Sequence, residues 1–253
     1  ETQGDERTAA VIQSLLKDAP GAAVMTVGDT VYGDGTRAEL KNCFDPSWGQ
    51  FKDRIHPAPG NHDYQTENGA PYYEYFGAAA GPAGLGYYSY DLGDWHIVVL
   101  NSNCNEIACT PDSDQVKWLQ EDLQQNQKLC TLAYWHHPRW SSGLGGGGAT
   151  ATFWKTVAGL GVDVVVNGHD HDYERFAPMD ASGAADPRGT REFVVGTGGA
   201  VLRPFGRIKQ NSEVRIGATL GVIEFTLFAD HYQWRFVPAE DPSKADQGSG
   251  ACH

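Results

Sequence analysis

The chain has 253 residues, 40% of them hydrophobic and 20% charged, enough apolar content for one sizeable core. Its formal net charge of −13 at pH 7 repels nucleic acid and anionic membrane surfaces, so no nucleic-acid-binding surface is expected. No apolar run reaches the roughly 18 to 20 residues of a bilayer-spanning helix, and a soluble protein with no membrane partner is the expectation.

From Asp5, "DERTAAVIQSLLKDAPG" reads as a helix N-capped by Asp5 and stopped by Pro20 and Gly21. "AAVMTVGD" follows as a short buried strand with Asp29 at its end. "WGQFKDRIHPAPGNHDY" predicts a helical segment, a short extended piece, and a Gly-Asn turn that carries Asn61, His62 and Asp63. "YYSYDLGDWHIVVLNSN" has the form of a hairpin turning at Gly93-Asp94. "SDQVKWLQEDLQQN" puts Val116, Leu119 and Leu123 on one helical face, and the strand "CTLAYWHHP" runs on into His136 and His137.

The glycine run "GLGGGG" lacks the Lys-Ser/Thr of a phosphate-binding loop and is expected as flexible punctuation or an entrance flap. A helix, "ATFWKTVAGLG", comes next. Val162 to Val166, β-branched and bounded by glycines, predicts a strand covered on both faces and ending at His169 and His171. Extended runs dominate the remainder, and residues 239–253 are expected as a surface tail. Alternating helices and strands followed by a strand-rich end favour an α/β fold with two sheets, as a single domain over residues 1–253. The five cysteines show no C-x-x-C spacing. Cys104 and Cys109 bracket a short polar loop suited to a local disulfide, which points to an oxidising, secreted or periplasmic setting.

Four expected strand ends carry polar residues of one chemical kind: Asp29 with Tyr32, Asn61 with His62 and Asp63, His136 with His137, and His169 with His171. Hard oxygen donors mixed with imidazoles suit Zn, Fe, Mn or Co, and the lack of cysteine in the set argues against a structural thiolate site. The set offers too many ligands for one tetrahedron, so two metals fit better than one. Singly, Asp29 reads as a turn residue, Asn61 as a left-handed turn former and Tyr32 as a core aromatic. Their repetition at strand ends is what favours the metal reading. His56, His96, His231 and His253 have no such company and are expected to be structural or exposed.

The series GDxxY, GNHD, His-x-Pro and GHxH, in that order between roughly Asp5 and Arg175, resembles the calcineurin-like metallophosphoesterases. The Tyr32 position is similar to the purple acid phosphatase branch. The resemblance implies a two-sheet β-sandwich flanked by helices, with a dinuclear site on loops at the strand ends. Asp29 would bridge two metal ions, Fe3+ with Zn2+, Fe2+ or Mn2+. Asn61, His136 and His169 would complete one site, and Tyr32 with His171 the other.

The implied reaction is acid-phosphatase-like hydrolysis of a small phosphate monoester by a metal-bound hydroxide, with His62, paired with Asp63, protonating the leaving group. His137 and Arg139, just past the ligand strand, are candidates to contact phosphate oxygens. Phosphodiesterase or nucleotidase action on the same site stands as an alternative, as does a non-catalytic metal- or phosphate-binding role. The family pattern opens with an earlier strand ending in aspartate, whereas "GDERTAAVI" runs straight into helix. The expectation is a chain lacking that first strand, with the Tyr32 and His171 site one carboxylate short and therefore weak.

Overall fold

In the computed structural model, which describes residues 4–253, twelve strands form two layers with helices on both outer faces. The inner layer is built from β1 (Val24–Val27) and β2 (Ile55–Ala58), a parallel pair, beside the antiparallel set β10 (Gly221–Leu227), β11 (His231–Pro238) and β12 (Asp246–Ala251). The larger layer has seven strands. They are ordered β3 (Tyr88–Leu92), β4 (Trp95–Val99), β5 (Cys130–Trp135), β6 (Val164–Asn167), β8 (Arg191–Val195), β7 (Tyr173–Phe176) and β9 (Ser212–Ile216). Its centre, β4 through β8 in that order, is parallel.

Side-chain alternation explains the layering. Val164 and Val166 of β6 join the cluster between the sheets, with Ile97, Leu132, Tyr134, Trp234 and Phe236, while Val165 faces the opposite side. There it meets Val116, Leu119 and Leu123 of α4 (Asp114–Gln125) and Phe153, Trp154 and Val157 of α5 (Ala151–Gly159). Each such buried Val, Leu or Phe contributes roughly 1.5–3 kcal/mol. The second outer face is covered by α1 (Gly4–Asp18) and α3 (Ala70–Phe76), whose Ala9, Ile12, Tyr72 and Phe76 pack with Val24, Ile55 and Val222. Between them α2 (Arg37–Glu39) is a single turn closed by a capping box of Thr36 and Glu39. This is the α/β two-sheet sandwich flanked by helices that the sequence predicts. The β3–β4 hairpin also turns as expected, with Leu92 opposite Trp95 and Gly93 at φ +60°.

Three expectations change. Strand β6 begins two residues later than read, because the Val162 N–H still closes onto the Val157 carbonyl of the preceding helix. Asp5 is not an N-cap: α1 already includes Gly4, and the Asp5 carboxylate accepts from the Ser47 hydroxyl at 2.9 Å. Residues 239–253 lie at the surface but not as a loose tail, since β12 pairs with β11 and Cys252 is bonded to Cys130. The expected Cys104–Cys109 disulfide is present.

Candidate metal centre

Strands β1, β2, β5 and β6 deliver their C-terminal ends to one edge of the sandwich, the position where open α/β sheets bind ligands. The chain turns sharply there. Asp29 and His169 both adopt left-handed backbone (φ +53° and +66°), a conformation that Asp and His tolerate better than most residues. The Asp29 and Asn61 loops meet backbone to backbone across Gly28 and Gly60. A Cβ on Gly60 would lie 2.2 Å from the Asp29 nitrogen, so nothing larger than glycine fits.

Four donor atoms converge. Nε2 of His136 lies 3.1 Å from Asn61 Oδ1, 3.1 Å from His169 Nδ1 and 3.2 Å from Asp29 Oδ2, and Asn61 Oδ1 is also 3.1 Å from His169 Nδ1. His136 Nδ1 donates its proton to the Val27 carbonyl at 2.7 Å, which in the neutral ring leaves Nε2 a lone pair. With His169 Nδ1 also unprotonated, lone pairs face one another in a buried space, an arrangement that a metal ion or a second proton on His136 reconciles. The residues therefore fit a metal. Asp29 drives the proton version, for its charge and hydrogen bond raise the His136 pKa against the opposing effect of burial. In turn, burial works against the Asp29 charge, yet His136 and the His62 N–H hold its carboxyl well below the usual range.

Beside this group, Tyr32 Oη lies 3.0 Å from His171 Nε2, and His171 Nδ1 donates to the Val201 carbonyl at 2.6 Å. The ligand-facing nitrogen is again the one without the proton. Burial and the neighbouring Asp29 push the Tyr32 phenol well above its ordinary value, so a phenolate forms there only against a cation. All six residues expected as metal ligands are thus brought together, with Asp29 between the two groups.

The other expected residues fare unequally. His62 sits beside Tyr32, with ring centroids 4.9 Å apart, and its Nδ1 donates to the Gly33 carbonyl at 2.9 Å. Asp63 is not its partner. That carboxylate is buried and accepts from the backbone N–H groups of Gly60 (2.8 Å) and Thr30 (3.2 Å), tying the two ligand loops together. Burial first, then Asp29, push Asp63 up to about 7. The His137 ring lies 4.5 Å from the His169 ring, tilted by 47°, and burial with the neighbouring His136 and His169 pushes His137 down to about 3. Arg139 turns away from the site: its guanidinium lies 4.0 Å over the Trp140 ring and donates to the Gly147 carbonyl.

Three residues escape sequence reading. Asp170, between the two histidines of GHDH, accepts from the Leu144 and Gly145 N–H groups and anchors the glycine run beside His169, so that run is held rather than loose. Arg203 donates its N–H to the His171 carbonyl, and its charge counts among those lowering the pKa of His169 and His171 after burial. Ser102 hydrogen-bonds His137. Only Asp170 had a sequence signal, its place inside the motif.

Known proteins resemble the chain in sequence and in fold. The family model for calcineurin-like phosphoesterases matches residues 2–173. Purple acid phosphatase 15 of Arabidopsis thaliana is 25% identical over 230 residues, 76% of this chain and 42% of that protein. Purple acid phosphatase 21 of the same plant is 35% identical over 123 residues, 45% of this chain and 26% of that protein. The chain thus spans less than half the length of either relative. Among solved structures, the purple acid phosphatase PPD1 from yellow lupin (Lupinus luteus) seeds aligns with TM-score 0.78 at 19% identity, over 98% of this chain and 49% of that one. GAP50, described as the anchor in the inner membrane complex of Plasmodium, aligns with TM-score 0.73 at 12% identity, over 100% of this chain and 85% of that one. At such identities the two structures speak for the fold alone. The family match covers more than half of the chain and contains all four motif-bearing loops, and the chain belongs to the calcineurin-like phosphoesterases.

Proposed function

We propose that this chain hydrolyses small phosphate monoesters with two bound metal ions, in the manner of an acid phosphatase and in a secreted or periplasmic setting. The observation that carries the reading is the meeting of Asp29, Asn61, His136 and His169 lone pairs from four separate loops at about 3 Å. Asp29, Asn61, His136 and His169 would hold one ion, and Asp29, Tyr32 and His171 the other, with iron paired with zinc, iron or manganese. Bound there, the cations neutralise charge developing on the phosphoryl oxygens and lower the pKa of a water.

The chain's own groups do the rest. In its imidazolium form His62 gives the Nε2 proton to the leaving oxygen and keeps the Nδ1 proton on the Gly33 carbonyl. Asp63 keeps the Asp29 and Asn61 loops in register through Gly60 and Thr30. His137 contacts phosphate. The site of Asp29, Tyr32 and His171 has fewer donors than that of Asp29, Asn61, His136 and His169 and is the weaker of the two. Two disulfides support the exported setting, and no helix among the described residues is long and apolar enough to cross a membrane.

The test is turnover of an aryl phosphate and an aryl phosphodiester, before and after chelation, on a sample whose metals are counted. Monoester turnover lost on chelation and restored by metal is expected. His62→Ala should then lose about two to four powers of ten on an alkyl phosphate, and much less on the aryl ester, with metal content unchanged. Faster diester turnover would move the reading to a phosphodiesterase. No turnover in metal-loaded protein would leave a binding protein.

A further inference from the structure

Ser102 lies at the end of β4 with only 2% of its surface exposed. Its Oγ accepts the backbone N–H of His137 at 2.9 Å and also lies 2.9 Å from His137 Nδ1. No other described group hydrogen-bonds that hydroxyl. A serine hydroxyl has two lone pairs and one proton. If the ring donated to it, both lone pairs would be filled and the proton would be buried without an acceptor, at a cost of about 1–3 kcal/mol. If the hydroxyl donates to Nδ1, every group is satisfied.

The neighbouring histidines make the contrast. His136 and His171 turn Nδ1 toward carbonyl oxygens, which only accept, so their protons sit on Nδ1 and Nε2 is left as a lone pair. His137 alone turns Nδ1 toward a hydroxyl. By distance the three residues His136, His137 and His169 would pass as a metal-binding triad, since one nitrogen from each lies within 4.8 Å of the others. Proton placement separates them. Among the described residues nothing hydrogen-bonds His137 Nε2.

We infer that Ser102 is a positioning residue that holds His137 as the Nε2–H tautomer, so that His137 offers a hydrogen bond to a bound phosphoryl oxygen and is not a metal ligand. The inference rests on the reading of the site as a phosphate-ester site and deepens it, by making recognition of the phosphoryl group depend on a hydroxyl outside the ligand set.

The experiment uses the zinc-loaded chain, which is diamagnetic, with inorganic phosphate as probe. Nitrogen-15 correlation spectra should give His137 a pyrrole-type Nε2 and a pyridine-type Nδ1. Ser102→Ala should bind phosphate about tenfold more weakly with both metals retained, the loss of one hydrogen bond to a charged group. Ser102→Thr, which keeps the hydroxyl, should restore binding. A pyridine-type Nε2 on His137, or loss of one metal in His137→Ala, overturns the inference by making His137 a ligand. So does Ser102→Thr binding phosphate as poorly as Ser102→Ala while its His137 spectrum is unchanged. The spectra of the unsubstituted protein decide the tautomer even if Ser102→Ala fails to fold. They also stand if the chain turns over no ester, so failure of this inference and of the proposed activity are told apart.

Discussion

Adding one methyl group at Gly28 should disable the metal centre while leaving the fold in place. Gly28 sits at φ +91°, and a Cβ there would lie 2.6 Å from the Gly60 nitrogen and 2.6 Å from His136 Nδ1. Both contacts fall about 0.8 Å inside the 3.4 Å of ordinary contact, and neither neighbour can yield alone. Gly60 carries the Asn61 loop, while His136 Nδ1 is held by the Val27 carbonyl. Relief therefore spreads the Asp29, Asn61 and His136 donors by most of an ångström. A shift of about 1 Å costs roughly 100-fold where geometry sets the rate.

Gly84 supplies the control. It is at φ +77° with nothing within 4 Å of its built Cβ, so Gly84→Ala carries only the left-handed backbone cost of about 1–2 kcal/mol. Urea unfolding, metal content after dialysis and phosphatase rate are measured on both variants. Gly28→Ala should lose bound metal and about two powers of ten in rate, and Gly84→Ala neither. Equal metal content and rates within about twofold in the two variants would refute the argument that this backbone contact sets the donor geometry.

Two further outcomes test the frame around the site. The Cys130–Cys252 bond closes a loop of sequence separation 122, so Cys252→Ser should lower unfolding free energy by about 4–5 kcal/mol. A loss under about 1 kcal/mol in urea titration would show that the β11–β12 ladder alone retains the terminus. His96 lies 2.7 Å from Asp122 and 3.0 Å from Asp91, and although burial opposes its charge, these carboxylates raise its pKa above 6.5. Its contribution is present below about pH 6.5 and fades as pH rises through the folded value. His96→Gln should thus lower the melting temperature more at about pH 5.5 than at about pH 8.5, and an equal drop at both would count against the ion pairs.

Asp29, His136 and His169 were legible as candidate ligands because each lies just past an apolar run, and a strand's C-terminal edge is fixed by where that run stops. Directions of individual side chains were not. His62 and Asp63 are adjacent in the chain, but they lie on the single 3-10 turn His62–Tyr64, where successive side chains diverge by about 120°. One reaches Gly33 and the other Gly60. Arg139 comes only two residues after His137, yet a nearby ring and carbonyl claim its guanidinium. "DQGSGA" carries no apolar alternation at all. It becomes β12 because Trp234 and Tyr232 on β11 lie over Gly248 and Gly250, leaving no room for side chains at those positions. Ser102 and Arg203 arrive on loops placed by contacts distant in sequence, which local pattern cannot reveal.

The run Gly145–Gly148 looks uniform in composition but is two different materials. A side chain at Gly143 would strike the Asp170 carboxylate at 2.5 Å, and one at Gly145 the His169 ring at 2.2 Å. At Gly147 the nearest atom is 4.0 Å away, and at Gly148 nothing lies within range. The first half leaves no room for side chains against the motif itself, whereas the second half has that room although its backbone is held, the Gly147 N–H by Pro138 and its carbonyl by Arg139. A designer seeking a different substrate preference could therefore place side chains at Gly147 and Gly148 without crowding His169 or Asp170.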